Sequence, residues 1–520
     1  MKRENNRKKD QSTTETKKDE KKNELSFEMV KKIFVYSARL NRIIWTEHKK
    51  IFLLYIGVFI ILAFLPSIRN GSLALIINSF DKGFNTSIQF LVLLLFIAVG
   101  GFSQIFQTIR EYIKYRFGRD VRLLFEMALL KKISGMDIAS REAPEQSNLI
   151  QKVNEFGIGR IIGFIQRQLF ITSDIIELII ASVILIYANW WCFVLFVLVT
   201  IPELIIEARF GYGLWKTSEE TIEQYRKTWA VRWSVNNVST FIETKLFNMS
   251  DYLANLFRKM RIAIYEREDV DHRKRTIWSL YANMASVLVF GFIVYMFFLD
   301  VINKNISIGA FIFFISSAQQ LRNALGGISF NLAAQYQDAL FVGDVFKLID
   351  SKPVVVSPKN PVSISSASIP LIEFDRVKFS YPGSEKEVIS DFSISIRPGE
   401  KIALIGENGS GKSTLVKLLA RAYDPTEGNI KINGADVRNI DLKQWHSVLG
   451  VLSQKFSDYE SFSVGKAISF GRKNGEKLDY EKIREAARHA EADVFIEKLD
   501  KKFLIMPISA TRLLRSRFHP

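Results

Sequence analysis

Apolar residues in this chain come in long blocks separated by charged ones. Predominantly apolar stretches fall at 51–65, 88–106, 170–187, 190–206, 277–302 and 308–321. Most approach the 17–25 residues that carry a helix across a bilayer, so the pattern predicts six membrane helices. The last stretch is short and holds Gln319 and Gln320. From 88 to about 133 there is no proline and helix formers dominate. A continuous helix of that length runs about 69 Å, against about 30 Å of hydrocarbon, so it must project well beyond the membrane. Gly135 should end it, and a short reversal is expected near 143–147. The loop 209–275 repeats the plan, with a reversal near 243–247. Paired long helices of this kind could push on a domain outside the membrane.

Past residue 370 the pattern shortens. LIEFDRVKFSY, VISDFSISI and KIALIG read as strands, and TLVKLLARAY as a helix, which predicts an α/β domain. The expected organisation is a charged tail at 1–25, an all-α membrane domain at 26–350 and a Pro- and Ser-rich linker at 351–370. A partial α/β nucleotide-binding domain at 371–503 and an atypical tail at 504–520 follow. The fold class is therefore a multi-domain membrane protein, a six-helix all-α transmembrane domain joined to a partial α/β P-loop domain.

Charge places the loops. Segments 1–50, 110–167 and 209–275 are rich in Lys and Arg, whereas the intervening loops have few. The positive-inside rule then puts both termini in the cytoplasm of a multi-pass protein in the cytoplasmic membrane. Trp190 and Trp191 suit an outer interfacial belt. The net charge of +17 fits a basic surface against anionic membrane lipid. No nucleic-acid motif accompanies it, so no nucleic-acid partner is expected. Cys192 is the only cysteine, which excludes an intrachain disulfide and a cysteine-based metal site. The 1–25 tail has no apolar core after its basic start and is not a signal peptide.

The candidate chemistry lies at 406–413, which reads GENGSGKS. This is a complete Gly-x-x-x-x-Gly-Lys-Ser phosphate loop between a strand pattern and a helix pattern. Gly406, Gly409 and Gly411 let the backbone curl so that N–H groups, with those of Glu407, Asn408, Ser410 and Thr414 nearby, face a phosphate. Lys412 can reach the β- and γ-phosphates of ATP, and the Ser413 hydroxyl can ligate Mg²⁺. Tyr381, 25 residues before Gly406, offers a ring to stack on adenine. Gln454, 42 residues after Lys412, offers an amide to Mg²⁺ or the attacking water.

Together these residues resemble the ATP-binding cassette (ABC) exporters of the half-transporter type, from about residue 27 to about 503. The resemblance is carried by Tyr381 at the adenine-stacking position, the 406–413 Walker A loop, Gln454 at the Q-loop and PTEGNIKINGADVRNI at 425–440. It implies six membrane helices fused to a C-terminal cassette and an ATPase driving export. It also implies coupling helices in the 110–167 and 209–275 loops, and a homo- or heterodimer in which two cassettes clamp two ATP molecules. The transported substrate is not readable.

The sequence also departs from that family. It holds no Leu-Ser-Gly-Gly-Gln signature, no Walker B run ending in Asp-Glu and no switch histidine. Residues 501–520 contain no carboxylate side chain, and His519 stands alone. The expectation is a truncated or frameshifted product that at most binds nucleotide, with no identifiable catalytic residue. Two further features stand out in the membrane region. Glu177 lies about 15 Å below the outer end of its helix and Glu203 at comparable or greater depth on the next, which marks a polar patch in a translocation pathway or a helix-packing contact. Gly100 and Gly101 are expected to allow close helix packing.

Overall fold

A computed structural model describes residues 27–81, 85–220, 222–364, 369–384, 386–452, 459, 462–471, 479–499 and 502–504. Gln454, residues 1–26 and residues 505–520 lie outside these, as does the side chain of Glu203.

The first 350 residues are helical. Helix α1 (Phe27–Asp81) is broken at His48, whose φ of −134° and ψ of 36° split an amphipathic N-terminal stretch from the first apolar one. Helix α2 (Thr86–Ser134) runs 49 residues without a break and ends where Gly135 caps it, as the pattern predicts. Short helices α3 (Ile138–Glu142) and α4 (Pro144–Lys152) and a π-helical turn (Val153–Gly157) then reverse the chain. Asp137 caps α3 by accepting from the Ser140 N–H. Helix α5 (Ile158–Glu220) joins the third and fourth apolar stretches across a bend at Asn189, φ −161° and ψ 107°. Helices α6 (Ile222–Asn236) and α7 (Val238–Leu246) make the second reversal, and α8 (Ser250–Ile302) and α9 (Ile308–Asp350) complete the bundle.

Among the described residues, four helical segments are long and apolar enough to cross a membrane: 31–80, 86–134, 158–202 and 250–302. The bend at Asn189 divides the third of these. The sixth expected stretch is helical within α9 but is not among the four, in keeping with the polar Gln319, Gln320 and Arg322 at its inner end.

Two environments follow one another along the same helices. On α2, Ile113, Phe117, Val121, Phe125 and Leu129 recur every four residues and are buried against α1, α5 and α9. Nearer its start, Phe90, Leu91, Ile97, Phe102 and Ile105 are all more than half exposed, as expected of a surface solvated by lipid rather than protein. Besides the core around Leu185, Phe297 and Leu321 within the apolar zone, the helices thus hold another outside it. There, fully buried Asp338 on α9 accepts from Arg160 (3.0 Å) and Arg167 (2.7 Å) on α5. A side chain at Gly100 or Gly101 would meet nothing within 4 Å. The expectation of close packing at this pair is therefore corrected: both glycines sit on an open helix face.

The α/β part holds a four-stranded antiparallel sheet in the order β2-β1-β3-β4. Its strands are β1 (Ile372–Ser380), β2 (Glu387–Ile396), β3 (Glu427–Ile432) and β4 (Ala435–Asp436). In β1 the buried residues shift from Phe374 to Val377 and Phe379. The change of parity is a bulge in which Arg376 adopts φ 48°. Helix α10 (Lys412–Leu419) and helix α11 (Leu442–Val448) pack on this sheet through Leu418 and Trp445. Three short helices, α12 (Val464–Ser469), α13 (Tyr480–His489) and α14 (Asp493–Glu497), make a separate small cluster around Ile483 and Ile496.

One expected strand does not form. KIALIG at 401–406 joins no ladder and leaves Ile405 94% exposed; the run up to Leu452, 92% exposed, also joins none. A strand needs a neighbour to take its N–H and C=O groups, and among the described residues the sheet stops at the four strands above. The 351–370 linker, in contrast, is anchored. Val355 and Ile364 are buried in the sheet's core, Arg421 donates to the Val356 carbonyl (2.9 Å), and Val362 bridges to Ile440.

Candidate functional site

The phosphate loop is shaped by its glycines. Gly409 and Gly411 take φ of +89° and +90°, values that side-chain-bearing residues rarely adopt. A Cβ on Gly411 would also lie 2.6 Å from Ile389 Cδ1 and 3.2 Å from the Val388 carbonyl. Gly411 is the N-cap of α10, so the loop hands its free N–H groups to a helix start, where an anion is favoured. Lys412 lies back across the loop and donates to the carbonyls of Gly406 and Glu407, both at 2.7 Å. Ser410 N–H donates to Glu407 O at 3.2 Å and closes the turn. Ser413 is exposed beside it and Thr414 is buried.

These residues fit a nucleotide polyphosphate. The loop supplies N–H donors, the Lys412 ammonium spans its mouth, and the Ser413 hydroxyl is free to meet Mg²⁺. Among the described residues no group of three His, Cys, Asp or Glu gathers to hold a metal by itself. An ion at Ser413 would draw further ligands from the nucleotide, from water and from neutral oxygens such as a side-chain amide, the usual habit of Mg²⁺.

Tyr381 is brought to this loop, as the spacing predicts. Its hydroxyl is 3.1 Å from Thr414 Oγ1. Its ring meets Phe379 and Tyr423 edge-on, with centroids 5.0 and 5.3 Å apart, and Lys417 Nζ stands 5.6 Å from its centre.

One group escaped the sequence reading. Glu142, at the end of α3, accepts from Lys417 Nζ (3.1 Å) and from the Tyr423 hydroxyl. Tyr423 and Lys417 both contact Tyr381, so the first helical reversal touches the aromatic group beside the phosphate loop. Ala139 of α3 is buried in the core of the α/β domain. The Tyr423 bond, followed by Lys417, holds the Glu142 carboxyl below its ordinary range against the opposing effect of burial. Burial, then the Glu142 charge, raises Tyr423. The spacing signals gave the reversal but not which face of it would meet which side chain.

In the membrane region Glu177 is half-buried on α5, one turn above Asp174, whose carboxylate accepts from Asn331 Nδ2 (3.2 Å). Gly327 leaves the room: a Cβ there would lie 2.6 Å from Asp174 Oδ2. Gln320, 6% exposed, accepts from Ser67 at 3.0 Å. Helices α1, α5 and α9 thus share a polar seam around Glu177.

Residues 389–515 match the ABC transporter domain family. Over 433 residues the chain is 24% identical to the subtilin transport ATP-binding protein SpaT of Bacillus subtilis, covering 83% of this chain and 70% of SpaT. Over 223 residues it is 35% identical to an ATP-dependent lipid A-core flippase of Alkalilimnicola ehrlichii, covering 43% of this chain but only 37% of the flippase. Its fold resembles that of a bacterial Atm1-family ABC exporter solved with ATP bound. The TM-score is 0.74 at 19% identity, over 87% of this chain and 79% of that one.

Proposed function

We propose that this chain, an ABC half-transporter in family and architecture, exports a substrate across the cytoplasmic membrane at the expense of ATP. The observation that carries the reading is the phosphate loop, whose Lys412 and Ser413 open a helix in a domain clasped by Glu142 of the membrane helices. ATP would seat its phosphates on 406–414 and its adenine on Tyr381, with Ser413 and Gln454 at Mg²⁺. Binding would then press on α3 through Tyr423 and Lys417. Both termini lie on the cytoplasmic side in this reading.

The partner is a second half-transporter, the same chain or a related one. Supporting this, α7 and the turn after it at the second reversal present Phe241, Ile242, Leu246 and Phe247 to solvent, the last two above 70% exposed. An apolar helix tip of that kind fits burial against another cassette. The exported substrate stays unnamed, since the relatives carry names as different as subtilin transport and lipid A-core flipping.

The alternative reading is nucleotide binding without turnover, which the phosphate loop and Tyr381 would serve by themselves. One experiment addresses both readings. The full chain in lipid nanodiscs is titrated with a fluorescent ATP analogue and Mg²⁺, and phosphate release is followed in parallel. Saturable binding abolished by Lys412→Ala supports the nucleotide site, and no binding refutes it. Vanadate-sensitive phosphate release, lost in Lys412→Ala, decides for the first reading over the second.

A further inference from the structure

The break at His48 opens a cavity of about 550 Å³ between α1 and α2. Lys49, Lys50 and Arg116 line it with His48, Tyr112 and Leu54; Glu47 and Asp120 complete the polar rim. Asp120 is already engaged by Arg119 at 2.8 Å. Lys49 stands 4.8 Å over the Trp45 ring. Lys49, Lys50 and Arg116 form no salt bridge among the described residues, so three cations surround a hollow that no protein carboxylate neutralises in full.

Its level in the membrane can be read from both helices. On α1 the apolar stretch starts at Ile51, immediately after Lys49 and Lys50. On α2 the apolar stretch gives way to Arg110 and Glu111. Both changes meet at the cavity, which therefore sits at the boundary between hydrocarbon and water. The outer face of α2 leads into it. Phe102, Ile105, Ile109 and Tyr112 are 57%, 57%, 40% and 62% exposed and recur at spacings of three and four. The same line continues to Arg116. A ligand following it would lie on aliphatic and aromatic side chains for about 16 Å from Ile105 and finish against a guanidinium. Tyr112 at the turnover point suits the interfacial preference of aromatics.

We propose that this cavity binds the phosphodiester headgroup of an anionic phospholipid, with one acyl chain laid along the exposed α2 stripe. Lys49, Lys50 and Arg116 contact the phosphate and Leu54 and Tyr112 the first part of the chain. The site requires only that the chain be inserted in a bilayer, and it is independent of nucleotide.

The test uses the purified full chain in nanodiscs of phosphatidylcholine with a minor fraction of phosphatidylglycerol, and bound lipid is counted by native mass spectrometry. The expected result is retention of phosphatidylglycerol over phosphatidylcholine by about tenfold or more. The K49Q/K50Q/R116Q variant should lose that preference. Lys114→Gln, on the same helix but outside the cavity lining, should keep it. The charge-preserving K49R/K50R/R116K variant should also keep it, which separates lost charge from lost folding. Equal retention of the two lipids by the wild-type chain overturns the proposal, as does a preference that survives K49Q/K50Q/R116Q. Displacement of the lipid by inorganic phosphate alone would overturn the acyl-chain half and leave a simple anion site.

Discussion

Removing the Glu142 carboxylate tests how the membrane helices grip the cassette. Two bonds are at stake and they are unequal. The Lys417 pair is 3.1 Å long, but its side chains are 48% and 38% exposed, so solvent screening limits it to under about 1 kcal/mol. The Tyr423 hydroxyl is part-buried and donates to a charged acceptor, a bond worth roughly 1.5–3 kcal/mol. Glu142→Ala should therefore cost about 2–3 kcal/mol and Tyr423→Phe about 1.5 kcal/mol. The double variant should recover about 1 kcal/mol relative to their sum, whereas Glu142→Ala with Lys417→Met should be additive within about 0.5 kcal/mol. The assay is thermal unfolding of the full chain in nanodiscs, where 1 kcal/mol shifts a domain of this size by roughly 4 °C. The pH dependence has a fixed sign. Because the folded carboxyl titrates below its ordinary value, the contribution is complete above about pH 4.5 and is lost as pH falls through the folded value. Additivity of Glu142→Ala and Tyr423→Phe, or a coupling that weakens as pH rises from 5 to 7, would refute the reasoning.

Three further outcomes are expected. Gly411→Ala should weaken ATP binding at least about tenfold, because the new Cβ is strained at φ +90° and meets Ile389 at 2.6 Å; nucleotide titration checks it. Tyr381→Ala should lower affinity for ATP about tenfold but leave affinity for inorganic tripolyphosphate unchanged, since stacking acts on the base alone. Asp338→Ala should destabilise the helical domain by about 3–5 kcal/mol by leaving Arg160 and Arg167 facing an empty buried position, whereas Asp350→Ala, which breaks an exposed pair with Arg39, should cost under about 1 kcal/mol; both are read from melting temperature.

Local signals were legible and long-range ones were not. The length of α2 and its stop at Gly135 follow from helix propensity and a glycine cap, which lie within a few residues of each other. The curl of 406–413 follows from glycine spacing in the same way. The strand at 401–405 was misread because alternation says what a segment could do and a ladder depends on which neighbour arrives. Gly100 and Gly101 were misread because a small residue permits close packing without attracting a partner. The Glu142, Lys417 and Tyr423 contact joins residues about 280 positions apart, and no single-sequence pattern encodes such a pairing.

The unbroken 49-residue α2 also sets a gear ratio. At 1.5 Å per residue it is a rod of about 74 Å. Pivoted near its middle, it trades displacement one for one: a shift of roughly 10 Å at the cassette end tilts the rod by roughly 15° and swings the far end roughly 10 Å the opposite way. Such a rod gives no mechanical advantage. Sub-ångström adjustments around a phosphate stay sub-ångström at the far side of the bilayer, so any aperture opened there must be matched by travel of the whole cassette.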